Sequence, residues 1–236
     1  MSSNVSMTLA LGACCDDGVV IIEDKVIYKP LAMEKDKISY DEKLRGVILN
    51  IIFGYSGQVK MYDLFVKYLV GDVVILRDEQ EAYTSQNMIQ KLCDIMNSFK
   101  ENYQPFDLTL MVARQFPRNG RSDLHLVQST GVQERINHWV CIGQGQFIAK
   151  PLVEDFWNNN EDVRMKDFAE LGYCIIKYIE KRGLELSVGV GVGRPSIRYL
   201  KDASEIDTKP TDEELNEFEN SCNVYSIRFD ELLGAK

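Results

Sequence analysis

Imidazole is scarce in this chain: His125 and His138 are the only histidines among 236 residues. Each falls in an alternating strand-like stretch, which predicts a sheet residue rather than a metal ligand. A zinc site built on them needs acids or thiols at ligand spacing, and the sequence holds no such cluster. Cysteine pairs are missing too. Cys14, Cys15, Cys93, Cys141, Cys174 and Cys222 are scattered, with no CxxC, so small buried apolar residues are expected rather than disulfides. The adjacent Cys14 and Cys15 sit mid-strand without a base partner and are expected to be inert. No basic run occurs, and the net charge of -9 gives neither nucleic acid nor an anionic membrane an electrostatic footprint. Apolar runs are strand-length, short of the roughly 20 residues that span a bilayer. Residues 1–7 lack the charged and apolar regions of a signal peptide, so a cytoplasmic location is expected. The glycines of residues 189–193 lack GxGxxG spacing and are followed by Pro195, which argues against a phosphate loop. No cofactor is expected.

What the chain does have is apolar patterning. At 45% hydrophobic it can bury a sizeable core. Residues 6–14 read as a strand, Asp16-Asp17-Gly18 as a hairpin turn, and the β-branched run from Val19 as the returning strand. Pairing by that turn brings Asp24 back beside Thr8. Residues 47–53 form an apolar run broken by Asn50 alone, the mark of a strand covered on both faces. Helical spacing follows over 57–69 and 82–103. Strands are predicted at 106–113 and 123–128, joined by a turn at 118–120, and at 135–142. A third helix opens at Gly143-Gln-Gly-Gln146, and a fourth, over 163–181, is expected to be capped by Glu161 and Asp162. Residues 184–192 and 196–200 read as closing strands. The acidic stretch 202–220 reads as solvated, with a helix start at Thr211-Asp-Glu-Glu, and 223–229 as an edge strand. Strands, helices, strands, helices and strands in that order predict an α+β fold: a four-layer α-β-β-α sandwich of two antiparallel sheets.

That order, with Thr8, Gly18-Val-Val-Ile and Asp24, resembles the proteasome core-particle subunits of the N-terminal-nucleophile hydrolase superfamily. The interval from Thr8 to Asp24 is similar to that of the family's β-type subunits without a gap. Gly54-Tyr-Ser-Gly57 resembles their glycine-spaced approach to the first helix, and Cys141-Ile-Gly-Gln-Gly-Gln146 their glycine-serine turn before the third. The resemblance implies a short leader over 1–7, a sandwich domain over 8–200 and an acidic C-terminal extension over 201–236. It implies a chain without the extra N-terminal helix of α-type subunits.

In active members the threonine is freed at the N-terminus, and its own amine serves as base for its hydroxyl, a poor nucleophile without one. Carried over, Thr8 is nucleophile and base, Asp24 the orienting acid and Lys37 the lysine it holds, with Lys35 as the rival lysine. Three departures weaken that carry-over. Met7 stands where active members have the glycine whose backbone freedom self-processing needs. Gln144 replaces a serine. Only Glu185 and Ser187 lie near the place of the family's supporting aspartate and serine. Two functions are therefore expected from different classes. One is a structural subunit of a self-compartmentalising ring acting in protein breakdown, with a degenerate site, assembled with copies of itself or other proteasome-like subunits. The other is an active threonine-type peptidase or amide-bond transferase acting on polypeptide through Thr8 after leader removal.

Overall fold

In a computed structural model, the described residues are 9–24, 51–57, 61–62, 64–65, 85–103, 106–115, 121–183, 194–202 and 208–234. β1 (Leu9–Cys15) and β2 (Gly18–Glu23) form the expected hairpin around Asp16 and Asp17. β3 (Ile51–Gly57) leads toward helical residues at 61–62 and 64–65, and α1 spans Ser85–Asn102. β4 (Leu108–Gln115), β5 (Ser122–Val127), β6 (Gln133–Ile136) and β7 (Trp139–Gly143) follow. Then come α2 (Gln146–Asn158), α3 (Met165–Lys181), β8 (Ser196–Lys201) and α4 (Asp212–Leu233). The expected turn at 118–120 and strand at 184–192 lie outside the described residues.

The strands make two four-stranded sheets, ordered β7-β1-β2-β8 and β3-β4-β5-β6, with antiparallel pairing throughout. Side-chain alternation along each strand divides the interior into three apolar layers. Leu9, Leu11 and Ala13 of β1, with Val20 and Ile22 of β2, meet α2 and α3. Their alternates Ala10, Val19 and Ile21 face the second sheet, against Ile52, Met111, Ala113 and Leu124. On that sheet's far side Leu108, Leu110, Val112 and Val127 lie under Ile89, Leu92, Met96 and Phe99 of α1. The order is helix, sheet, sheet, helix. Both faces of both sheets are covered, which is why β1, β2 and β4 read as near-continuous apolar runs.

Hydrogen bonds tie the sheets together at the end that carries the β1–β2 turn. Gln115 Nε2 donates to the Lys201 carbonyl at 2.7 Å, Ser122 N–H to Asp202 Oδ1 at 2.7 Å, and Ser122 Oγ to the Leu200 carbonyl at 3.2 Å.

Four expectations are corrected. The single strand over 135–142 is two strands in different sheets: β6 pairs with β5, and β7 with β1. The chain crosses at residues 137 and 138, where Cys14 N–H donates to the His138 carbonyl at 2.7 Å. His138 is accordingly a bend residue, set edge-on to Trp157 with ring centroids 5.9 Å apart. The start of α3 is held by Asp17 rather than by Glu161 or Asp162. Asp17 Oδ1 accepts from Met165 N–H at 2.8 Å, so the hairpin turn caps the helix from far along the chain.

The acidic tail, finally, begins a helix at Thr211 as expected and keeps most of its acids exposed, but in place of an edge strand over 223–229 that helix continues as the 22-residue α4, docked on α3. Thr211 and Glu214 form a reciprocal cap: Glu214 N–H donates to Thr211 Oγ1 at 3.2 Å, and Thr211 N–H to Glu214 Oε2 at 2.9 Å. Phe218 and Phe229 are the buried anchors. Tyr173 donates to Glu219, Tyr178 to Asp230 at 2.8 Å, and Lys166 pairs with Glu217.

Candidate active site

The register of the first hairpin pairs Ala10 with Glu23, which sets Leu9 opposite Asp24. Two contacts close that end of the ladder. Asp24 N–H donates to the Leu9 carbonyl at 3.1 Å, and Leu9 N–H donates to Asp24 Oδ2 at 3.1 Å. The second is a charge-assisted bond, and it fixes a carboxylate on the first residue of β1. Leu9 directly follows Thr8 in the chain. Thr8, Lys37 and the rival Lys35 lie outside the described residues. Of the expected site residues, then, Asp24 is the one the described structure places, at the start of β1.

The third strand at this edge is β7, whose Gly143 pairs with Leu9. Gly143 has φ of +91°, a conformation that side chains other than glycine rarely adopt. The chain can therefore leave the sheet beside Leu9, turn through exposed Gln144 and start α2 at Gln146.

A second carboxylate, absent from the sequence expectation, joins the site from the other side of β2. Glu23 pairs with Ala10, an inter-sheet residue, and its Oε1 accepts from Tyr55 N–H of β3 at 2.9 Å. The two sheets come close here. A Cβ on Gly54 would lie 2.9 Å from both Ile21 Cγ2 and Met111 Cε, so a side chain there would have to push those groups aside. The signal for Glu23 was present in the sequence: the alternation that turns Val19 and Ile21 inward carries Glu23 to the same face. Adjacent acids thus serve different bonds, Asp24 within its own sheet and Glu23 across to the next.

This arrangement supplies negative charge and fixed acceptors at the start of β1. It suits the orientation of a cation, and among the described residues it brings carboxylates and backbone groups together rather than a hydroxyl nucleophile. The thiols do not fill that role. Burial pushes Cys14 up to about 11 and Cys141 up to about 12, and it also raises Cys15. The imidazole of His125 is engaged elsewhere, 3.0 Å from Asp123 Oδ2 and 3.1 Å from Arg114 Nη2. Among the described residues no cluster of three or more His, Cys, Asp or Glu could hold a metal ion, and no helix is long and apolar enough to cross a membrane.

The Leu9 bond gives a direct test of Asp24. Hydrogen bonds to charged groups contribute roughly 1.5–3 kcal/mol. Asp24→Ala is expected to lose stability on that scale, and Asp24→Asn, which keeps an acceptor for Leu9 N–H, clearly less. Urea denaturation of the two variants side by side measures the difference.

A sequence model of one protein family, described as "Proteasome subunit", matches residues 7–186. The match takes in both sheets up to β7, helices α1 to α3, and the carboxylates at the start of β1. Among curated proteins none matches the chain.

Proposed function

The chain belongs to the proteasome subunit family, and from that premise we propose that it builds a self-compartmentalising ring assembly for protein breakdown without cutting polypeptide itself. The family's setting is proteolysis in a proteasome-like assembly with other subunits. The finer reading rests above all on Met7 preceding Thr8. Release of the threonine requires its hydroxyl to attack the preceding carbonyl from a strained backbone, which glycine permits and methionine resists. A threonine left inside the chain has an acylated nitrogen, so its hydroxyl lacks the amine base. The replacement of the turn serine by Gln144 points the same way. The partners are copies of this chain or related subunits, and the expected location is the cytoplasm.

Light scattering on the full chain tests the assembly. The expected result is a particle many times the 27.0 kDa of one chain; a monodisperse 27.0 kDa monomer at micromolar concentration would overturn the reading.

One observation favours the active alternative: the carboxylate of Asp24 is kept on the first residue of β1. In that reading leader removal exposes Thr8 as nucleophile and base, Asp24 orients Lys37, and the chain is a threonine-type peptidase or amide-bond transferase.

A further inference from the structure

We propose that Cys174 and Cys222 form an oxidisable thiol pair whose disulfide locks the C-terminal helix α4 onto α3. Their Sγ atoms lie 3.1 Å apart across the α3–α4 contact, from residues 48 positions apart in sequence. A disulfide has an S–S length of about 2.05 Å, so joining them requires roughly 1 Å of sulfur travel. Both thiols also converge on the Phe218 carbonyl, Cys222 at 3.2 Å and Cys174 at 3.6 Å. That shared acceptor holds the two side chains on the same spot of the interface.

The other cysteines lack this arrangement. Cys14 and Cys15 are neighbours in β1 and turn to opposite faces of the sheet. Their side chains join different apolar layers, Cys15 with the helices and Cys14 between the sheets. Cys93 and Cys141 are buried in separate layers.

The pair is unequal in access. Cys222 is half-buried and Cys174 fully buried, so an oxidant arriving from solvent meets Cys222 first. The hydrogen bond to Cys222, and then burial, push the Cys174 thiol well above the usual range. Cys174 thus keeps its proton until its sulfur is consumed. With a hydroperoxide as oxidant, Cys222 gives its proton to solvent and its thiolate attacks a peroxide oxygen. An S–O bond forms and the O–O bond breaks, leaving a sulfenic acid and, from hydrogen peroxide, one water. Cys174 Sγ then attacks Cys222 Sγ: the S–S bond forms, the S–O bond breaks, and the departing hydroxide takes the Cys174 proton as a second water. Two electrons pass from the sulfurs to the peroxide, and thiol reductants reverse the link.

The location gives the bond a consequence. Helix α4 has two buried anchors, Phe218 and Phe229, beside its polar contacts. A covalent tie between those anchors converts a helix that can undock locally into one that cannot.

The test is mild hydrogen peroxide treatment of the full-length wild-type chain, then alkylation, intact mass and non-reducing peptide mapping. The expected result is the loss of two hydrogens, a cross-linked peptide joining Cys174 to Cys222, and its disappearance on reduction. Amide exchange across residues 212–233 is expected to slow at least tenfold in the oxidised protein. In Cys174→Ser, Cys222 is expected to proceed to sulfinic acid instead. Oxidation of Cys222 in the wild-type chain without a Cys174–Cys222 peptide, or links scattered among the other cysteines, would overturn the proposal. Since the deciding experiment uses the native sequence, misfolding of a variant leaves it intact.

Discussion

Replacing Asp123 with asparagine is expected to destabilise the protein by about 3–5 kcal/mol, the cost of breaking a buried ion pair by removing one of its charges. Asp123 is 2% exposed and Arg114 5%. The guanidinium grips the carboxylate in a fork, Nε to Oδ1 at 2.7 Å and Nη2 to Oδ2 at 2.9 Å, and His125 adds its contact to Oδ2 at 3.0 Å. Asparagine has nearly the same shape but no charge, so the buried Arg114 guanidinium loses the attraction of that carboxylate. A shifted urea midpoint at unchanged slope would register the loss.

The same site makes an acid-stability prediction. Burial alone would raise Asp123, but hydrogen bonds from His125 and Arg114 outweigh it and hold the carboxyl below the usual range. A carboxyl lowered in the folded state binds its proton more weakly there than in the unfolded chain. Its stabilising contribution is complete above the unfolded value of about 3.9 and is lost as pH falls through the folded value. Asp123→Asn should flatten that part of the acid-unfolding curve. A variant as acid-sensitive as the parent would place the sensitivity elsewhere.

The second large effect is expected from Phe218→Ala. Phe218 is fully buried, with its ring centroid 6.0 Å from that of Tyr173. Core Phe-to-Ala changes cost about 3–5 kcal/mol. With Phe229 as the other buried anchor of α4, most of that loss should fall on docking of the helix rather than on the sandwich. Amide exchange should therefore accelerate over 212–233 while β1, β2 and β4 keep their protection. Uniform acceleration over the whole chain would mean that α4 and the sandwich unfold as one unit.

The sandwich was legible in the sequence because its strands are covered on both faces and its first turn carries Asp-Gly. The β-branched run over Val19 to Ile22 and the apolar run ending in β3 place these strands without reference to distant residues. The change of sheet at residues 137 and 138 was not legible. Period-two alternation is the same in either sheet, so a run over 135–142 gives no sign that its halves pair with β5 and β1 respectively. Helix α4 was legible at its start, Thr211-Asp-Glu-Glu, but its extent was hidden for a different reason. Its buried aromatics Phe218 and Phe229 are eleven positions apart in an acidic segment. Much of its contact with α3 is polar, through Glu219 to Tyr173 and Asp230 to Tyr178, and such pairs show only once both helices are in place. The site divides similarly. The hairpin that ends in Asp24 followed from its Asp-Gly turn, while Thr8, beside which Asp24 is expected, lies outside the described residues. The inward face of Glu23 was open to the same alternation, but its bond to Tyr55 needed the inter-sheet approach at Gly54, and the Arg114–Asp123–His125 network needed two neighbouring strands.

The central claim is that Thr8 stays inside the chain, so that the subunit supports an assembly and does not cut. Intact mass combined with N-terminal sequencing of the purified, assembled protein tests it most directly. The account predicts a chain that begins at Met1 or Ser2, with Met7 still joined to Thr8. A mature chain that begins at Thr8 would contradict it.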